Sequence, residues 1–431
     1  MAFRFLGGER QSAGTTPTDT NNTGGTTGGR TVVPGQQTTL TYWGLWEPTE
    51  VLSEVFRQYE QANPGVTVNY VKQSHLDYRE RLQTAIASGS GPDLFRFHAT
   101  WVPMLQSEFA PLPNTTYTAA EYRDTFYPVA TEQLSVNGQL VGVPLMYEGL
   151  GLYYNKEMLR NAGVQPPTTW AELRTLASQL TVRSGDTVQR GGLAIGNATN
   201  VEHFSDIVGL LMLQNGADPA DPTSPEARDA MLFYTNFMKT DKVWSDQLPS
   251  STVAFARGDV AMMFAPSWRA HEVKAQNPNL EFGIARLPKL GESDIAWASY
   301  WAEGVNARSG NKDAAWNLIK YMSSPDVMKQ LYSNQSEVRA FGELYSRKEL
   351  APELVSNEYA AAYLSDAPTA KGWYLSSFTH DNGINDQLIK YYRDAITAIN
   401  SGKTIQETLE TVDLGTQQVL RQYGVPTAPA Q

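Results

Sequence analysis

Between residues 38 and 98 the sequence alternates short β-rich runs with longer amphipathic stretches. Residues 38–43 and 66–71 have the composition of strands, and a third strand follows in the run GSGPDLFRF. Residues 50–62 and 77–88 carry their apolar side chains at helical spacing. Strand, helix, strand, helix, strand is the pattern of a parallel sheet covered by helices, so this segment predicts an α/β fold.

Aromatic and polar residues follow each of these three strands. Because ligands of parallel sheets bind beyond the carboxyl ends of the strands, we expect these residues to face a cleft. They are Trp43, Leu45, Trp46 and Glu47 after the first strand, Ser74 and His75 after the second, and His98, Thr100 and Trp101 after the third.

A second group of aromatic residues lies between residues 244 and 301. The apolar runs at residues 260–264, 282–285 and 296–301 predict strands. Aromatic rings with a polar tip at strand ends suit a wet concave site for a ligand that is part apolar and part hydroxylated. The alternative, that each ring belongs to the core, stays open. The group consists of Trp244, Trp268, Trp297, Tyr300 and Trp301.

Composition narrows the class of protein. A chain of 431 residues is long enough for two domains, and its formal net charge of −11 argues against nucleic acid or an anionic membrane surface as the partner. The absence of cysteine excludes disulfides, thiolate catalysis and cysteine-based metal sites. Aromatic residues make up 11% of the chain, including 10 Trp and 21 Tyr, which suits a carbohydrate binder better than a nucleotide or ion binder.

The first 37 residues predict a disordered, Thr- and Gly-rich tether. Residues 13–31 contain eight Thr and five Gly, with Ala13 as the one hydrophobic residue, so they lack the apolar surface needed to fold. No apolar run reaches the length of a membrane span. A tether needs an attachment point, so we expect a membrane anchor ahead of Phe3; a simple disordered tail is the alternative.

Start signals mark several helices in the second half of the chain. Thr169 and Glu172 predict a capping box, the pair Ser224 and Pro225 opens another helix, and Thr404 caps the last one. Residues 201–215 predict an amphipathic helix. Pro144 lies within the apolar run 138–155, which therefore predicts an edge or crossing strand.

Several longer motifs resemble one protein family. AFARGDVAMMFAPSW, then FGIARLP and EGVNARSGNKDAAWNLIKYMSSPDVMKQ, resemble the extracellular solute-binding proteins of the maltose-binding-like family, which serve ABC importers. LTYWGLWEPTEVLSEVFRQYEQANPGVTVNYV resembles the opening of that family, and the likeness extends over residues 38–424. The resemblance implies a two-lobed α/β fold, the type II periplasmic-binding-protein fold, with hinge strands between the lobes.

The resemblance also implies a division of the chain. The first lobe is expected to comprise residues 38–140 and 288–345, and the second lobe residues 141–287 and 346–424, with crossings near residues 140–144, 288–297 and 345. Residues 425–431 form a tail.

Site residues can be matched to the family position by position. Glu148 matches an acidic sugar ligand of the maltodextrin-binding members, and Trp268 matches an indole that stacks on a sugar ring. Thr100 and Trp101 stand where the family usually has an acidic or basic pair. The complete set of predicted ligand-binding residues is Trp43, Trp46, Glu47, His75, His98, Thr100, Trp101, Tyr147, Glu148, Trp268, Trp297, Tyr300, Trp301 and Trp373.

The sequence gives little support for a catalytic site or a metal site. Glu47, Glu148 and Glu303 are the carboxylates that a glycosidase could use, but acidic residues in a sugar cleft more often accept hydroxyl hydrogen bonds. The pair Tyr153 and Tyr154 is similar to the tyrosine pair of ferric-ion binding proteins, although neighbours in a strand point to opposite faces. No two histidines have metal-ligand spacing, and no nucleophile elbow or phosphate loop is present. We therefore expect no enzyme activity, no metal and no cofactor.

The sequence thus predicts a monomeric, extracytoplasmic protein that captures a sugar or oligosaccharide between its lobes and delivers it to an ABC import permease. The alternatives are a surface adhesin that keeps the same fold without transport and, less well supported, a glycosidase.

Overall fold

The structure is a computed structural model that describes residues 37–427. Residues 1–36 and 428–431, and with them most of the predicted tether, lie outside the described residues. Within the described range the strands are β1 (Thr38–Gly44), β2 (Val66–Lys72), β3 (Leu94–His98), β4 (Ser135–Val136), β5 (Gln139–Leu140), β6 (Gly151–Asn155), β7 (Val182–Ser184), β8 (Thr187–Ala194), β9 (Val260–Ala265), β10 (Phe282–Ala285), β11 (Ala296–Trp297), β12 (Trp301–Val305) and β13 (Ala370–Lys371).

Helices surround these strands. In the same range the α-helices are α1 (Thr49–Ala62), α2 (Tyr78–Ser88), α3 (Ala119–Thr125), α4 (Pro128–Gln133), α5 (Lys156–Ala162), α6 (Trp170–Leu180), α7 (Phe204–Gln214), α8 (Pro225–Lys239), α9 (Ser251–Arg257), α10 (Arg269–Gln276), α11 (Lys312–Met322), α12 (Pro325–Ser336), α13 (Ala361–Asp366), α14 (Ile384–Asn400) and α15 (Ile405–Gln422). Short 3₁₀ helices span Ala99–Met104, Lys348–Leu354 and Ala367–Thr369. Among residues 37–427 no helix combines the length and apolar character that a membrane crossing requires.

The first sheet has the strand order β12, β3, β1, β2. β1 pairs in parallel with both β2 and β3, which confirms the parallel arrangement predicted from the alternating pattern. Helix α1 buries Val51, Val55, Phe56 and Tyr59, the apolar stripe read from the sequence. β12 returns from much later in the chain and runs antiparallel to β3.

The second sheet has the order β10, β6, β9, β8, β7. β8 and β9 pair in parallel, whereas β6 runs antiparallel to β9 and to β10. All six residues of β9 are buried, so this strand forms the centre of the second core. The two sheets with their helices give the predicted two-lobed α/β fold. The residue boundaries of the lobes remain predictions.

The predicted helix start signals are present. The Thr169 hydroxyl accepts from the Glu172 N–H while the Glu172 carboxylate accepts from the Thr169 N–H, which completes the capping box of α6. Ser224 caps α8, and Pro225 occupies its first turn. The Thr404 hydroxyl accepts from the Glu407 N–H at the start of α15. These caps use main-chain donors that the helix itself leaves unpaired.

Three local predictions were wrong. Helix α7 is buried on nearly every side, not amphipathic, because α8, α14 and β11 all pack against it. Residues 296–301 form two strands instead of one, since β11 pairs with β13 whereas β12 pairs with β3. The run 138–155 does not form an edge strand, since it ends in β6, an interior strand, and Pro144 itself lies outside any strand; a crossing between the lobes stays a prediction.

A buried ionic cluster joins β3 to β12. Arg96 and Glu303 face each other across the two strands, and the Arg96 Nε donates to the Glu303 Oε1 at 2.7 Å. The other edge of the guanidinium pairs with Glu47, and the Tyr42 hydroxyl donates to Glu303 at 2.9 Å. All these side chains are buried. Burial raises the pKa of Glu303, while the Arg96 charge opposes this shift.

Replacing Arg96 by Met should lower the free energy of unfolding by about 3–5 kcal/mol, because Glu47 and Glu303 would stay buried without their counter-charge. Urea denaturation measures this change. The control is Arg57→Met, which breaks an exposed helical pair with Glu54 and should have little effect. Equal effects of the two substitutions would contradict the stabilising role of Arg96.

Candidate ligand-binding cleft

A cavity of about 480 Å³ opens between the loops that follow β1, β2 and β3 and the residues that follow β9. Its volume lies within the roughly 300–1,000 Å³ that is usual for ligand pockets. Residues from both sheets' loops line it, together with residues 146–150, 339, 341–344, 377, 378 and 380. The predicted site residues that lie in its wall are Trp46, His75, His98, Tyr147, Glu148, Trp268, Trp297 and Trp301.

The other predicted residues lie outside the wall: Trp43, Glu47, Thr100, Trp101, Tyr300 and Trp373. Trp101 and Tyr300 are fully buried. Trp101 packs edge-on behind Trp301 with ring centroids 5.0 Å apart, so it supports a wall residue. Trp43 lies beside Tyr78, and Trp373 lies beside Tyr374.

The three carboxylates considered for hydrolysis do not lie together in the cavity, because two of them pair with an arginine elsewhere. Glu148 lines the cavity, whereas Glu47 and Glu303 pair with Arg96 inside the first lobe. Trp46 faces the cavity and its neighbour Glu47 faces the Arg96 cluster. A pair of carboxylates across a scissile bond is therefore not formed by these three residues.

Aromatic rings form the first-lobe wall. Trp46 and Trp301 meet edge to face with ring centroids 5.0 Å apart, and His98 contacts Trp301 at 5.1 Å. The Trp46 indole Nε1 donates to the Glu343 Oε1 at 3.0 Å, which fixes the orientation of that ring. The wall thus offers rigid apolar faces whose polar atoms are partly engaged.

His98 belongs to a buried hydrogen-bond chain. The Asn385 side chain donates to the Thr100 hydroxyl at 2.7 Å, and the Thr100 main-chain N–H donates to the His98 Nδ1 at 3.3 Å. The His98 Nε2 is 3.2 Å from the Ser299 hydroxyl. Burial lowers the pKa of His98 to about 3, so the ring is neutral and presents a fixed tautomer with Nδ1 as acceptor. Thr100, although outside the wall, orients a ring inside it.

Trp268 begins the second-lobe wall directly after β9 and is half-buried. The Arg269 guanidinium lies 4.3 Å from the Trp268 ring centroid and 4.6 Å from that of Phe378, so it sits against both rings. Such cation–π contacts hold the indole in place.

Arg269 also joins a buried polar cluster. Its Nε donates to the His203 Nε2 at 3.1 Å, and Glu272 and Glu202 pair with its other nitrogens at 2.5 and 3.1 Å. Asp206 accepts from the Trp297 indole at 2.8 Å. Burial is the main cause that lowers the pKa of His203. The cluster therefore fixes Arg269 between His203 and two carboxylates, although its Nη2 makes an ion pair with Glu202 and no hydrogen bond.

Residues 377–385 contact both lobes. On the second-lobe side the Ser377 hydroxyl is 2.8 Å from the His203 Nδ1. On the other side the Arg79 Nε donates to the Asp381 carbonyl at 2.7 Å, and the Asn382 side chain donates to Asp77 at 2.9 Å. Phe378, His380 and Asn382 all have positive φ, a conformation that these residues adopt at a cost. We call this segment the strap.

Glu148 is buried in the wall and holds the turn after β9. Its carboxylate accepts from the N–H groups of Gly149 and Ser267 at 2.9 and 3.0 Å and from the Ser267 hydroxyl at 2.5 Å. Burial raises the pKa of Glu148 to about 7, although these donors oppose the shift. Glu148 therefore ties the residue before Trp268 to the chain that enters β6.

All five histidines of the sequence line the cavity: His75, His98, His203, His271 and His380. His75 and His380 approach each other with ring centroids 4.9 Å apart. Within residues 37–427 no three His, Asp or Glu side chains are grouped so that they could hold a metal ion. Burial lowers the pKa of His98, His203, His271 and His380.

Sequence reasoning missed several wall residues. Arg269, His271 and Glu272 directly follow Trp268, and the helical spacing of α10 could have revealed them. Arg339, Phe341 and Glu343 lie in the loop after α12, and the strap residues that line the cavity lie in the loop before α14; neither loop has a periodic signal. Their place in the wall follows from the tertiary fold alone.

Comparison with known proteins identifies relatives of this chain. The family model for bacterial extracellular solute-binding proteins matches residues 54–362. A putative binding protein of Brucella abortus is 24% identical over 364 residues, which are 78% of this chain and 88% of that protein. The maltotriose-binding protein of Pyrococcus abyssi is 23% identical over 325 residues, 72% of this chain and 68% of that protein.

Solved structures show the same fold. A cyclo/maltodextrin-binding protein complexed with maltotetraose superimposes with a TM-score of 0.75 at 18% identity, covering 90% of this chain and 98% of that chain. These matches are with binding proteins rather than enzymes.

The raised pKa of Glu148 should make the free energy of unfolding depend on pH. The folded protein keeps a proton on this group between its ordinary pKa of 4.5 and about 7, whereas the unfolded chain releases it. The protonated Glu148 stabilises the folded state fully below pH 4.5, and this contribution to the free energy of unfolding is lost as the pH rises to about 7. Glu148→Gln cannot titrate, so its free energy of unfolding, relative to the wild type, should rise by about 1.4 kcal/mol per pH unit in this window. Urea unfolding at several pH values measures this; a constant difference would contradict it.

Proposed function

Because this chain belongs to the bacterial extracellular solute-binding protein family, we propose that it captures a carbohydrate in the cleft and delivers it to an ABC import permease. The observation that carries the proposal is the pair of aromatic walls, Trp46 with Trp301 on one side and Trp268 on the other, around one cavity. A sugar ring has apolar faces that stack on aromatic rings and hydroxyl groups that seek polar partners.

The polar groups of the wall suit a hydroxylated ligand. His98, His203 and Glu148 are held by protein hydrogen bonds, so they need not reorganise when a ligand enters. We keep Glu148 as the proposed hydroxyl acceptor. Glu47 is not proposed as a ligand-binding residue, because its carboxylate already pairs with Arg96.

Related proteins support a sugar as the class of ligand. The names of a relative and of a structural neighbour refer to maltotriose and maltotetraose. The permease partner and a membrane anchor are implied by membership of the family, and both remain part of the proposal. Catch and release would use closure of the two lobes about the predicted crossings.

Replacing Trp268 by Ala should weaken sugar binding by roughly tenfold to a few hundredfold. Loss of stacking accounts for about 0.5–1.5 kcal/mol, loss of buried ring area adds more, and each decade of affinity corresponds to about 1.4 kcal/mol. Isothermal titration calorimetry, with the tightest sugar found in a screen of the wild type, measures the change.

The control for this substitution is Phe233→Ala, which removes a partly buried aromatic ring on α8, outside the cavity wall. It should lower the melting temperature but leave sugar affinity unchanged. If Trp268→Ala behaved in the same way, Trp268 would be a core residue and the stacking role would be wrong.

Hinge closure makes a separate prediction. Saturating sugar should reduce the radius of gyration of the wild type in small-angle X-ray scattering, because the lobes would approach each other around the ligand. The Trp268→Ala variant at a sugar concentration that leaves it unoccupied serves as the control. An identical radius of gyration for the free and sugar-bound wild type would argue against closure.

A further inference from the structure

We propose that the sugar carries a carboxylate, as a uronic acid does, and that Arg339 and His271 receive this group at one end of the cleft. This inference rests on the proposed carbohydrate-binding function and names the chemical class of the ligand.

Buried nitrogens without partners carry the proposal. The Nε and Nη2 atoms of Arg339 and the Nδ1 atom of His271 are buried, and none has a hydrogen-bond partner among the described residues. Both side chains line the cavity. Because buried polar atoms in folded proteins nearly always have partners, these three unsatisfied atoms in the cavity lining indicate an acceptor that comes with the ligand.

The geometry of Arg339 favours a carboxylate over a single hydroxyl. Nε and Nη2 form one edge of the planar guanidinium and point two parallel N–H groups in the same direction. A carboxylate has two oxygens at the matching spacing and accepts both bonds at once. A hydroxyl oxygen would satisfy one of them.

The charge on Arg339 is also incompletely balanced. The Glu343 Oε1 is 3.8 Å from the Arg339 Nη2, beyond hydrogen-bond distance, and this oxygen accepts from the Trp46 indole at 3.0 Å. Burial, with a further contribution from Glu47, raises the pKa of Glu343 to about 7, so it bears only part of a negative charge near neutral pH. Arg269, the other arginine of the wall, also has a buried Nη2 without a hydrogen bond, but two carboxylates lie within 3.1 Å of its nitrogens and balance its charge.

His271 approaches Arg339 from the other lobe. Its ring packs on Phe341, two residues beyond Arg339, with centroids 4.3 Å apart. Burial, assisted by the Arg339 charge, lowers the pKa of His271 to about 4. The ring is therefore neutral and can donate a hydrogen bond to a carboxylate oxygen without adding a charge. Arg339 and His271 would bind the carboxylate from opposite sides of the cleft.

The remaining carboxylates of the wall restrict where an anion can lie. Glu148, Asp206 and Glu272 accept from Ser267, Trp297 and Arg269, respectively. These oxygens are acceptors and offer a second carboxylate no donor, and Asp206 and Glu272 would also repel it. The Arg339 end is consequently the part of the wall suited to an acid group.

Calorimetry with matched sugars tests this inference. The probes are glucuronic acid with glucose, galacturonic acid with galactose, and maltotriose as a longer neutral sugar. At least one uronic acid should bind the wild type tenfold or more tightly than its neutral partner. Arg339→Gln should remove this preference, a loss of about 10- to 100-fold for the uronic acid, as expected for a hydrogen bond to a charged group.

Two further variants separate binding from folding. Arg190→Gln is the matched control, because Arg190 also has a buried Nε without a partner but lies outside the cavity wall; it should keep the preference. His271→Ala should reduce the preference by a smaller factor while leaving Arg339 in place, and it serves if Arg339→Gln does not fold.

The outcomes distinguish this inference from the function on which it rests. Tight binding of maltotriose, glucose or galactose, with neither uronic acid bound more tightly than its neutral partner, would overturn the uronic-acid inference and leave carbohydrate binding intact. A preference that survives Arg339→Gln would also overturn it. Failure of every sugar to bind would count against both.

Discussion

The antiparallel pairing of β12 with β3 is the contact on which the cleft depends. It sets His98 opposite Trp301 at the cleft end of the pair and places Arg96 opposite Glu303 in the interior. A shift of register by one residue would turn every side chain of β12 to the other face. The Trp301 ring would then leave the wall and Glu303 would lose Arg96, so the buried ionic cluster selects the register that builds the binding surface.

Much of the fold could be predicted because it is encoded locally. The βαβ pattern, the apolar stripe of α1 and the caps at Thr169 and Ser224 depend on residues close together in sequence. Helix α7 was predicted, but its burial on nearly every side was not, since that burial comes from elements distant in sequence that pack around it. The lobe boundaries still rest on resemblance alone.

The residues that line the cleft were harder to predict from the sequence, for a similar reason. Aromatic residues at strand ends predict a site, and several of them line the cavity, but whether a given ring lines the cavity or supports it depends on its neighbours. Trp301 reaches the cavity, whereas Trp101 lies behind it. The position of Glu47 after β1 predicts a sugar-binding carboxylate, but its partner Arg96, 49 residues away in sequence, holds it in the buried ionic cluster. Residues Arg339 and Phe378 lie on loops whose positions no periodicity reveals.

The strap links the chemistry of the wall to the speed of ligand exchange. Its Ser377 end is bonded to the second lobe, and its Asp381 and Asn382 end is bonded to the first. In the proposed opening motion one set of these bonds has to break before the lobes can part, whatever ligand is inside. Affinity reflects the contacts made by the sugar, but its residence time would also include the lifetime of bonds that the sugar never touches. Two ligands of equal affinity could thus leave at a similar, strap-limited rate, and delivery would be paced by the protein.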